Sequence, residues 1–280
     1  MKVIRAGVLG FCMGVRRAVD LACAEAAHAA GSGKVFTLGP LIHNPRVLEE
    51  LERQGVGFLE NLPADLSGIS VIIRAHGVSP ITEQEIHSRG GRVVDATCPR
   101  VKAGQLKAGS LERAGYRLFL AGEAGHAEVL GIKGYAPGCF VVGNAGEARA
   151  AAAGLRVTEP DARTALIGQT TIRAEEYRSV ADTIKEYFPR LEVVESICAA
   201  TRDRQDSLRS LLDQVDAVVI AGGKESANTR RLFAIAEQRE KPCVLAETAG
   251  DIPAAFAAFQ TVGLCAGAST PDSVIDEIEA

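Results

Sequence analysis

The sequence contains no run of basic residues and no apolar stretch of about 18 residues, which is the length that a membrane-spanning helix needs. Its formal net charge at pH 7 is −4. Neither a nucleic acid nor an anionic membrane surface is therefore expected as the main partner. The first residues, MKVIRAGVLG, resemble a strand and lack the apolar region and cleavage site of a secretion signal, so we expect a cytoplasmic location.

The common nucleotide-binding motifs are also missing. The glycine-rich segment GGKESAN does not have the spacing of a P-loop, and GVLGFCMG does not match the G-x-G-x-x-G fingerprint of dinucleotide-binding domains. A nucleoside triphosphatase and a nicotinamide-dependent enzyme are therefore not supported. If the protein uses electrons, they should come from a protein donor.

Paired cysteines are the third absence. The chain has seven cysteines, an odd number without a C-x2-C pair, so neither a disulfide framework nor a structural zinc site of the usual kind is expected. Of its 280 residues, 47% are hydrophobic and 24% are charged, which is ordinary for a globular protein. The length favours two or three domains.

Three of the cysteines share one sequence context. Cys12, Cys98 and Cys198 each stand where an apolar run meets a small-residue turn and a helical pattern begins. In open α/β sheets, ligands bind at the carboxyl ends of the strands, which is where these thiols should lie. Three thiolates on a four-iron cluster would leave one iron open for a substrate. Buried structural thiols, another metal such as zinc, and a cysteine nucleophile remain alternatives. The other four cysteines lie in apolar or alanine-rich surroundings and are expected to be structural.

Strands alternate with helices throughout the chain, which is typical of parallel sheets with right-handed crossovers. The same number of residues separates Cys98 from His126 and Cys198 from Ser226. We therefore expect three α/β domains, at 14–98, 99–195 and 196–280, with the N-terminal strand 1–13 joining the third. The helical periodicity predicts helices at 47–55, 101–114, 145–153, 174–187 and 230–240.

Polar side chains with hydrogen-bond donors follow several of the strands. A single histidine is more often a satisfied surface or core residue than a ligand, but three at equivalent strand ends favour an anion site. Helix N-termini at the same positions add backbone N–H groups. The set resembles a diphosphate cradle with little Lys or Arg, and its members are His43, His76, His126, Ser226, Asn228, Ser269 and Thr270.

Glu128 lies two residues beyond His126, in the segment GHAEVLG. A carboxyl group sheltered from water beside an anion favours its neutral form, so Glu128 is a plausible proton donor. The alternative is a first-turn charge that suits the helix dipole.

Nine segments, in order from residue 10 to residue 272, resemble the 4-hydroxy-3-methylbut-2-enyl diphosphate reductase family. They are GFCMGVRRAV, GPLIHNPRV, AHGVS, DATCP, GHAEVLG, GQTT, ICAATRDRQ, GGKESANTRRL and GASTPD. The resemblance implies an α/β fold in which three similar domains form a pseudo-threefold trefoil around a central cavity. It implies an oxidoreductase of the methylerythritol phosphate route to isoprenoids, which removes a hydroxyl group as water to give isopentenyl and dimethylallyl diphosphates.

The same resemblance assigns roles to individual residues. It implies a 4Fe-4S cluster held by Cys12, Cys98 and Cys198, with one iron open toward the substrate hydroxyl. It places Thr170 near that hydroxyl and makes Glu128 the source of protons. The diphosphate would be held by His43, His76, His126, Ser226, Asn228 and Ser269. Ferredoxin or flavodoxin is the implied electron donor. A related cluster enzyme with another small substrate, and a non-enzymatic iron-sulfur sensor, are the alternatives.

The chain departs from the family pattern at two places. Where the family usually has N-S-S-N, this sequence has Glu225, Ser226, Ala227 and Asn228, so one hydroxyl donor is missing and a negative charge is added. After Cys98, the family often continues P-L-V-T-K-V-H, whereas this chain reads PRVKAGQ. A lost neutral hydrogen bond should weaken binding by about 0.5 to 1.5 kcal/mol without abolishing it.

Overall fold

The structure is a computed structural model that describes residues 1–29, 34–42 and 44–280. Strands and helices alternate along nearly the whole described chain. The strands are β1 (Lys2–Arg5), β2 (Lys34–Leu38), β3 (Val56–Leu59), β4 (Ile69–Ile73), β5 (Arg92–Asp95), β6 (Arg117–Ala121), β7 (Phe140–Val142), β8 (Thr164–Gly168), β9 (Glu192–Val193), β10 (Ala217–Ala221), β11 (Cys243–Ala246) and β12 (Thr261–Ala266).

Each α-helix follows a strand after a short connection. They are α1 (Met13–Ala29), α2 (Pro45–Arg53), α3 (Pro80–Ser88), α4 (Pro99–Arg113), α5 (Ala127–Tyr135), α6 (Ala145–Thr158), α7 (Ala174–Lys185), α8 (Ala199–Leu212), α9 (Ala227–Gln238) and α10 (Asp272–Glu279). Two short 3-10 helices, Ala249–Asp251 and Ala254–Ala258, lie between β11 and β12. Within the described ranges, no helix combines the length and the apolar character that crossing a membrane requires.

The strands form three four-stranded sheets, in the orders β1-β12-β10-β11, β3-β2-β4-β5 and β7-β6-β8-β9. Neighbouring strands are parallel, as the registers of β1 with β12, β4 with β5 and β6 with β8 show. The predicted α/β class with three similar sheets is therefore confirmed. Central strands such as AVVIA in β10 and TALIG in β8 are buried along their whole length, as expected for parallel sheets covered on both faces.

The chain divides into two compact units. The first consists of Met1–Ala30, Pro40–Phe58 and Ala199–Ala280, and the second consists of Gly31–Gly39 and Leu59–Cys198. The division into three domains at 14–98, 99–195 and 196–280 stays a prediction.

The first unit is built around β10 and β12. On one face of this sheet, Val218 and Ile220 pack with Leu208 of α8 and Leu232 of α9. On the other face, Val219 and Leu264 pack with residues of α10 such as Ile275. The N-terminal strand β1 pairs in parallel with β12, in the register Lys2 with Thr261 through Arg5 with Leu264.

The second unit has a corresponding core around β6 and β8. Phe119 and Leu166 point to one face, where α6 and α7 supply residues such as Ala148 and Ile184. Alternate residues of the same strands pack against α4 and α5 on the opposite face. Each strand therefore holds its carboxyl end rigidly between two helix layers, and the loops that carry the candidate residues start from these fixed ends.

Candidate active site

The three predicted cysteine ligands have the same backbone environment. Cys98 is the N-cap residue of α4, while Cys12 and Cys198 immediately precede α1 and α8 in the chain. All three are free thiols of intermediate burial. The Sγ atom of Cys12 accepts a hydrogen bond from the Val15 N–H at 3.5 Å. A helix N-terminus stabilises a thiolate, which is the form that binds metal.

A backbone hydrogen bond fixes each of these cysteines beside another predicted site residue. The Cys12 N–H donates to the Ala268 carbonyl at 3.1 Å, next to Ser269. The Cys98 N–H donates to the Ala75 carbonyl at 3.0 Å, next to His76, and the Cys198 N–H donates to the carbonyl of Thr170 itself at 3.0 Å. The three local environments are therefore variants of one pattern.

In the second unit, Glu128 is bound to Thr170 by two hydrogen bonds. The Thr170 N–H donates to Oε1 of Glu128 at 2.7 Å, and the Thr170 hydroxyl donates to Oε2 at 2.9 Å. Glu128 is only 1% exposed, although it stands in the first turn of a helix, where glutamate is usually solvated. Together with the bond from Cys198, these contacts join a buried carboxyl group, a hydroxyl group and a thiol-bearing residue.

These residues border a cavity of about 200 Å³ in the second unit. Glu128, Thr170 and Cys198 line it, together with apolar side chains such as Ile132 and charged ones such as Arg100. The burial of Glu128 itself separates its carboxyl group from bulk water.

His76 and His126 also lie together in the second unit. Their ring centroids are 5.2 Å apart and the rings are nearly perpendicular. His126 is the N-cap residue of α5, where its Nδ1 atom accepts a hydrogen bond from the Glu128 N–H at 3.2 Å. This bond fixes the imidazole plane, so the two histidines and Glu128 form one continuous polar group.

Glycines permit the close approach of α5 to the loop that carries His76. A Cβ atom at Gly134 would lie 2.3 Å from Cβ of Ser79, and one at Gly131 would lie 2.8 Å from Nε2 of Gln105. Gly77 has φ of +70°, and a Cβ there would lie 2.4 Å from the same Nε2 atom. Larger residues at these positions would push the His76 loop away from the helix that carries Glu128.

In the first unit, Ser226, Asn228 and Ser269 form a second group. Ser226 caps α9 by accepting the Thr229 N–H at 3.4 Å, and the Ser269 hydroxyl donates to the Ser226 hydroxyl at 3.4 Å. Asn228 is 5% exposed, and both polar atoms of its amide are sealed from solvent without a hydrogen-bond partner in the described part of the chain. A buried amide in this state is costly unless a ligand satisfies it.

The first departure from the family pattern has little electrostatic effect on this group. The Glu225 side chain is 84% exposed, and its carboxylate lies 3.8 Å from Nη1 of Arg230. Its charge is therefore both solvated and paired. Ala227 is buried and supplies no hydroxyl.

His43, the remaining predicted diphosphate ligand, lies outside the described residues. Within those ranges, no group of three or more His, Cys, Asp and Glu side chains is arranged to hold a metal ion.

The four cysteines expected to be structural have thiols of low reactivity. Burial raises the pKa of the Cys265 thiol to about 12 and that of Cys139 to about 11. Burial also raises the pKa values of Cys23 and Cys243 above the usual range. These thiols remain protonated near neutral pH, as the apolar sequence context indicates.

Sequence reasoning missed several polar residues that support the site. Gln169 is fully buried, accepts the Glu123 N–H at 3.1 Å and donates to the Thr171 hydroxyl at 2.9 Å. Arg204 is buried and donates to the carbonyls of Gly10 and Ala200, which fixes the loop before Cys12. Both lie inside quoted motifs, GQTT and ICAATRDRQ, but nothing in their spacing identifies a supporting role.

A family model described as LytB protein matches residues 3–280 of the chain. The 4-hydroxy-3-methylbut-2-enyl diphosphate reductase of Treponema denticola is 42% identical over 290 residues, which cover 100% of this chain and 98% of the relative. The protein of the same name from Aquifex aeolicus is 39% identical, with 99% and 94% of the two chains covered.

Solved structures agree with these relatives. The E-1-hydroxy-2-methyl-but-2-enyl-4-diphosphate reductase of Plasmodium falciparum matches with a TM-score of 0.90 at 26% identity, covering 99% of this chain and 86% of that one. A structure of (E)-4-hydroxy-3-methyl-but-2-enyl diphosphate reductase, described as the terminal enzyme of the non-mevalonate pathway, matches with a TM-score of 0.70 at 37% identity and covers 100% and 98%. The resemblance that the nine motifs indicated is confirmed: this chain belongs to the LytB protein family.

Proposed function

We propose that this protein catalyses the reductive removal of the hydroxyl group of 4-hydroxy-3-methylbut-2-enyl diphosphate. Two electrons and two protons enter, the allylic C–O bond breaks, the oxygen leaves as water, and the products are isopentenyl and dimethylallyl diphosphates. The observation that carries this proposal is the buried carboxyl group of Glu128. It accepts two hydrogen bonds from Thr170, whose backbone carbonyl accepts the Cys198 N–H. This set offers a proton source, a hydroxyl-binding group and a metal ligand within one unit.

Cys12, Cys98 and Cys198 are proposed to hold one 4Fe-4S cluster. Their free thiols, intermediate burial and positions at helix starts suit iron-bound thiolates. In a cubane cluster each cysteine binds a different iron, so the sulfur atoms need not converge on a single ion as they would for zinc. The cluster supplies stored electrons and one Lewis-acidic iron without a protein ligand.

The substrate diphosphate is proposed to be bound by the imidazoles of His76 and His126 and by the donors of Ser226, Asn228 and Ser269, with His43 added by family resemblance. The amide of Asn228 supports this role because no described protein group satisfies it. Imidazole, amide and hydroxyl groups donate hydrogen bonds that can hold a diphosphate with little help from lysine or arginine.

Glu128 is proposed to deliver the protons. Its carboxyl group is buried at the end of the cavity and is fixed by Thr170, whose hydroxyl can also contact the substrate hydroxyl. Protonation of the departing oxygen makes it a better leaving group, and a positioned general acid contributes about 10²- to 10⁴-fold in rate. Exclusion of water from the cavity protects the transferred electrons and protons from side reactions.

A ferredoxin or flavodoxin is proposed as the electron donor, and the cytoplasm as the location. The net charge of −4 supports a protein that binds neither nucleic acid nor an anionic membrane as its main partner.

The proposal is tested by anaerobic turnover of the purified, iron-loaded protein with a chemically reduced viologen dye and 4-hydroxy-3-methylbut-2-enyl diphosphate. We expect both isoprenoid diphosphates to form, and Mössbauer spectra to show one iron site of a four-iron cluster that changes when the diphosphate is added. Absence of turnover with an intact cluster would contradict the proposal and support an iron-sulfur protein with another substrate or a sensor. A colourless protein with one zinc and no iron would also contradict it.

A further inference from the structure

Arg74 is a partly buried arginine that the reaction outlined above does not use. It follows β4 directly, and its carbonyl accepts the Gly77 N–H at 2.9 Å, which closes the turn that carries His76. The Nε atom is sealed from solvent and has no hydrogen-bond partner in the described part of the chain. The backbones of Arg74 and His76 therefore belong to one hydrogen-bonded turn at the carboxyl end of the strand.

No carboxylate of the described residues forms an ion pair with Arg74. Burial alone lowers the pKa of its guanidinium, and no neighbouring acid raises it again. Other arginines of the second unit differ, since Arg117 pairs with Glu159 and Arg149 pairs with Glu186 on the surface. Only Nε is sealed from solvent, so the terminal N–H groups of this partly buried cation stay open to an anion that the described residues do not supply.

The turn at the end of β2 leaves room for the Arg74 side chain. Gly39 has φ of +71°, and a Cβ atom there would lie 2.9 Å from Nη1 and 3.2 Å from Cζ of Arg74. The Gly39 carbonyl accepts a hydrogen bond from the Thr37 hydroxyl at 2.7 Å. The turn therefore gives the guanidinium room to lie against the backbone.

We propose that Arg74 is a further substrate-binding residue, whose guanidinium pairs with the diphosphate group of the substrate beside His76. This inference rests on the proposed function, because it takes the anion to be that diphosphate. A guanidinium presents parallel N–H donors that match the oxygens of a phosphoryl group.

The first test compares Arg74→Gln, Arg74→Lys and the unchanged holoenzyme with excess reduced viologen dye, so that electron supply does not limit the rate. Loss of a charged hydrogen-bond donor should raise KM for the hydroxylated diphosphate about tenfold or more and leave kcat within about threefold. The inhibition constant for inorganic diphosphate should rise by a similar factor. Arg74→Lys should recover part of the loss, because it keeps the charge without the planar donors.

Two matched controls separate this role from general effects. Arg178→Gln removes one positive charge from an exposed position on α7 and should leave KM unchanged. Gly39→Ala should raise KM by displacing the guanidinium, whereas Gly68→Ala should not. Gly68 has a matching φ of +73° but nothing within 4 Å of its added Cβ, so both variants carry the same backbone strain and only one touches Arg74.

Stability gives an independent readout. Replacement of a structural arginine would lower the thermal midpoint. Arg74→Gln removes a partly desolvated charge that has no partner among the described residues, so the midpoint should stay unchanged or rise. The inference is overturned if KM and the inhibition constant stay within twofold of the unchanged enzyme, or if the variant alters only the cluster potential. If the unchanged enzyme does not convert the substrate, the proposed function fails instead. Titration with inorganic diphosphate would still test Arg74 in that case.

Discussion

The two compact units carry candidate site residues in opposite states. In the second unit, His126, Glu128 and Thr170 are hydrogen-bonded to one another, and we call them with His76 the acid–base group. In the first unit, Ser226, Asn228 and Ser269, the amide–hydroxyl group, include a buried amide without a partner in the described chain. A residue that transfers a proton needs a fixed position, whereas a residue that holds a ligand needs free donors. The difference between Glu128 and Asn228 therefore matches their proposed roles in proton transfer and diphosphate binding, whereas the two histidines of the acid–base group are proposed diphosphate ligands.

Both units nevertheless use the same device to hold a cysteine. In each case the cysteine N–H donates to a carbonyl at, or directly beside, a candidate binding residue, at 3.0 to 3.1 Å. Three repeats of this bond in one chain support a shared role for Cys12, Cys98 and Cys198. The comparison of the units can be tested at the cysteines first, and then at one residue of each polar group.

The largest expected effect is the protection of these cysteines by iron. With iodoacetamide at pH 8, Cys12, Cys98 and Cys198 should resist labelling in the iron-loaded protein and react at least about a hundredfold faster after anaerobic removal of iron, since bound thiolates are poor nucleophiles. Peptide mass spectrometry measures each site. Equal labelling of the three before and after iron removal would contradict their assignment as ligands.

Cys265 provides the internal control for that experiment. With a pKa of about 12, roughly one thiol in ten thousand is ionised at pH 8, and the fraction rises about tenfold for each further pH unit. It should stay unlabelled in both samples. Labelling of Cys265 would reveal unfolding, so exposure of the three candidate ligands can be separated from loss of the fold.

The second prediction concerns the acid–base group. Glu128→Gln keeps the size of the side chain, replaces one of the two oxygens that accept hydrogen bonds from Thr170 by an NH2 donor, and removes the transferable proton. We therefore expect kcat to fall at least about a hundredfold. The cluster absorption and substrate KM should remain close to those of the unchanged enzyme. Glu175→Gln, at an exposed first-turn position of α7, is the matched control and should leave kcat unchanged. Full activity in Glu128→Gln would remove Glu128 from the mechanism.

The smallest effect is expected in the amide–hydroxyl group. Asn228→Ala should raise substrate KM about fivefold, the value of one neutral hydrogen bond, without loss of thermal stability, because the amide has no protein partner to lose.

Asn144→Ala is the matched control for this change. The Asn144 side chain accepts the Glu147 N–H at 3.0 Å and caps α6, so its loss should lower the free energy of unfolding by about 1 kcal/mol with KM unchanged. If Asn228→Ala instead lowers the thermal midpoint like Asn144→Ala and leaves KM alone, the amide is structural.

Local sequence signals were sufficient to find most elements. The alanine-rich segment predicted as a helix at 145–153 is the first part of α6, and the periodicity at 174–187 corresponds to α7, which ends at Lys185. The pattern at 101–114 corresponds to α4, which begins earlier, at Pro99, because proline suits the first turn of a helix. Short edge strands such as β7, with three residues, gave too little periodicity to be predicted.

The contacts between candidate residues could not be predicted from local sequence signals. Thr170 and Glu128 are 42 residues apart, and their hydrogen bonds depend on the parallel pairing of β6 with β8, which brings both strand ends to one edge. Periodicity places each residue at a strand end but does not say which neighbours share a hydrogen bond. The proposed role of Arg74 could not be predicted for a related reason, since it depends on the lack of an acidic partner among the described residues.

The helix α4 has a cysteine, Cys98, at its N-cap position. The side chain of Cys98 makes no capping hydrogen bond, whereas Ser79, Asn144 and Ser226 cap their helices through oxygen atoms. Serine or aspartate at position 98 would strengthen that helix by about 1 kcal/mol. A cysteine at this N-cap position therefore stabilises the helix less than serine or aspartate would. The α4 start therefore gives up part of its helix stability to present a thiol, which is consistent with the proposed role of Cys98 as an iron ligand.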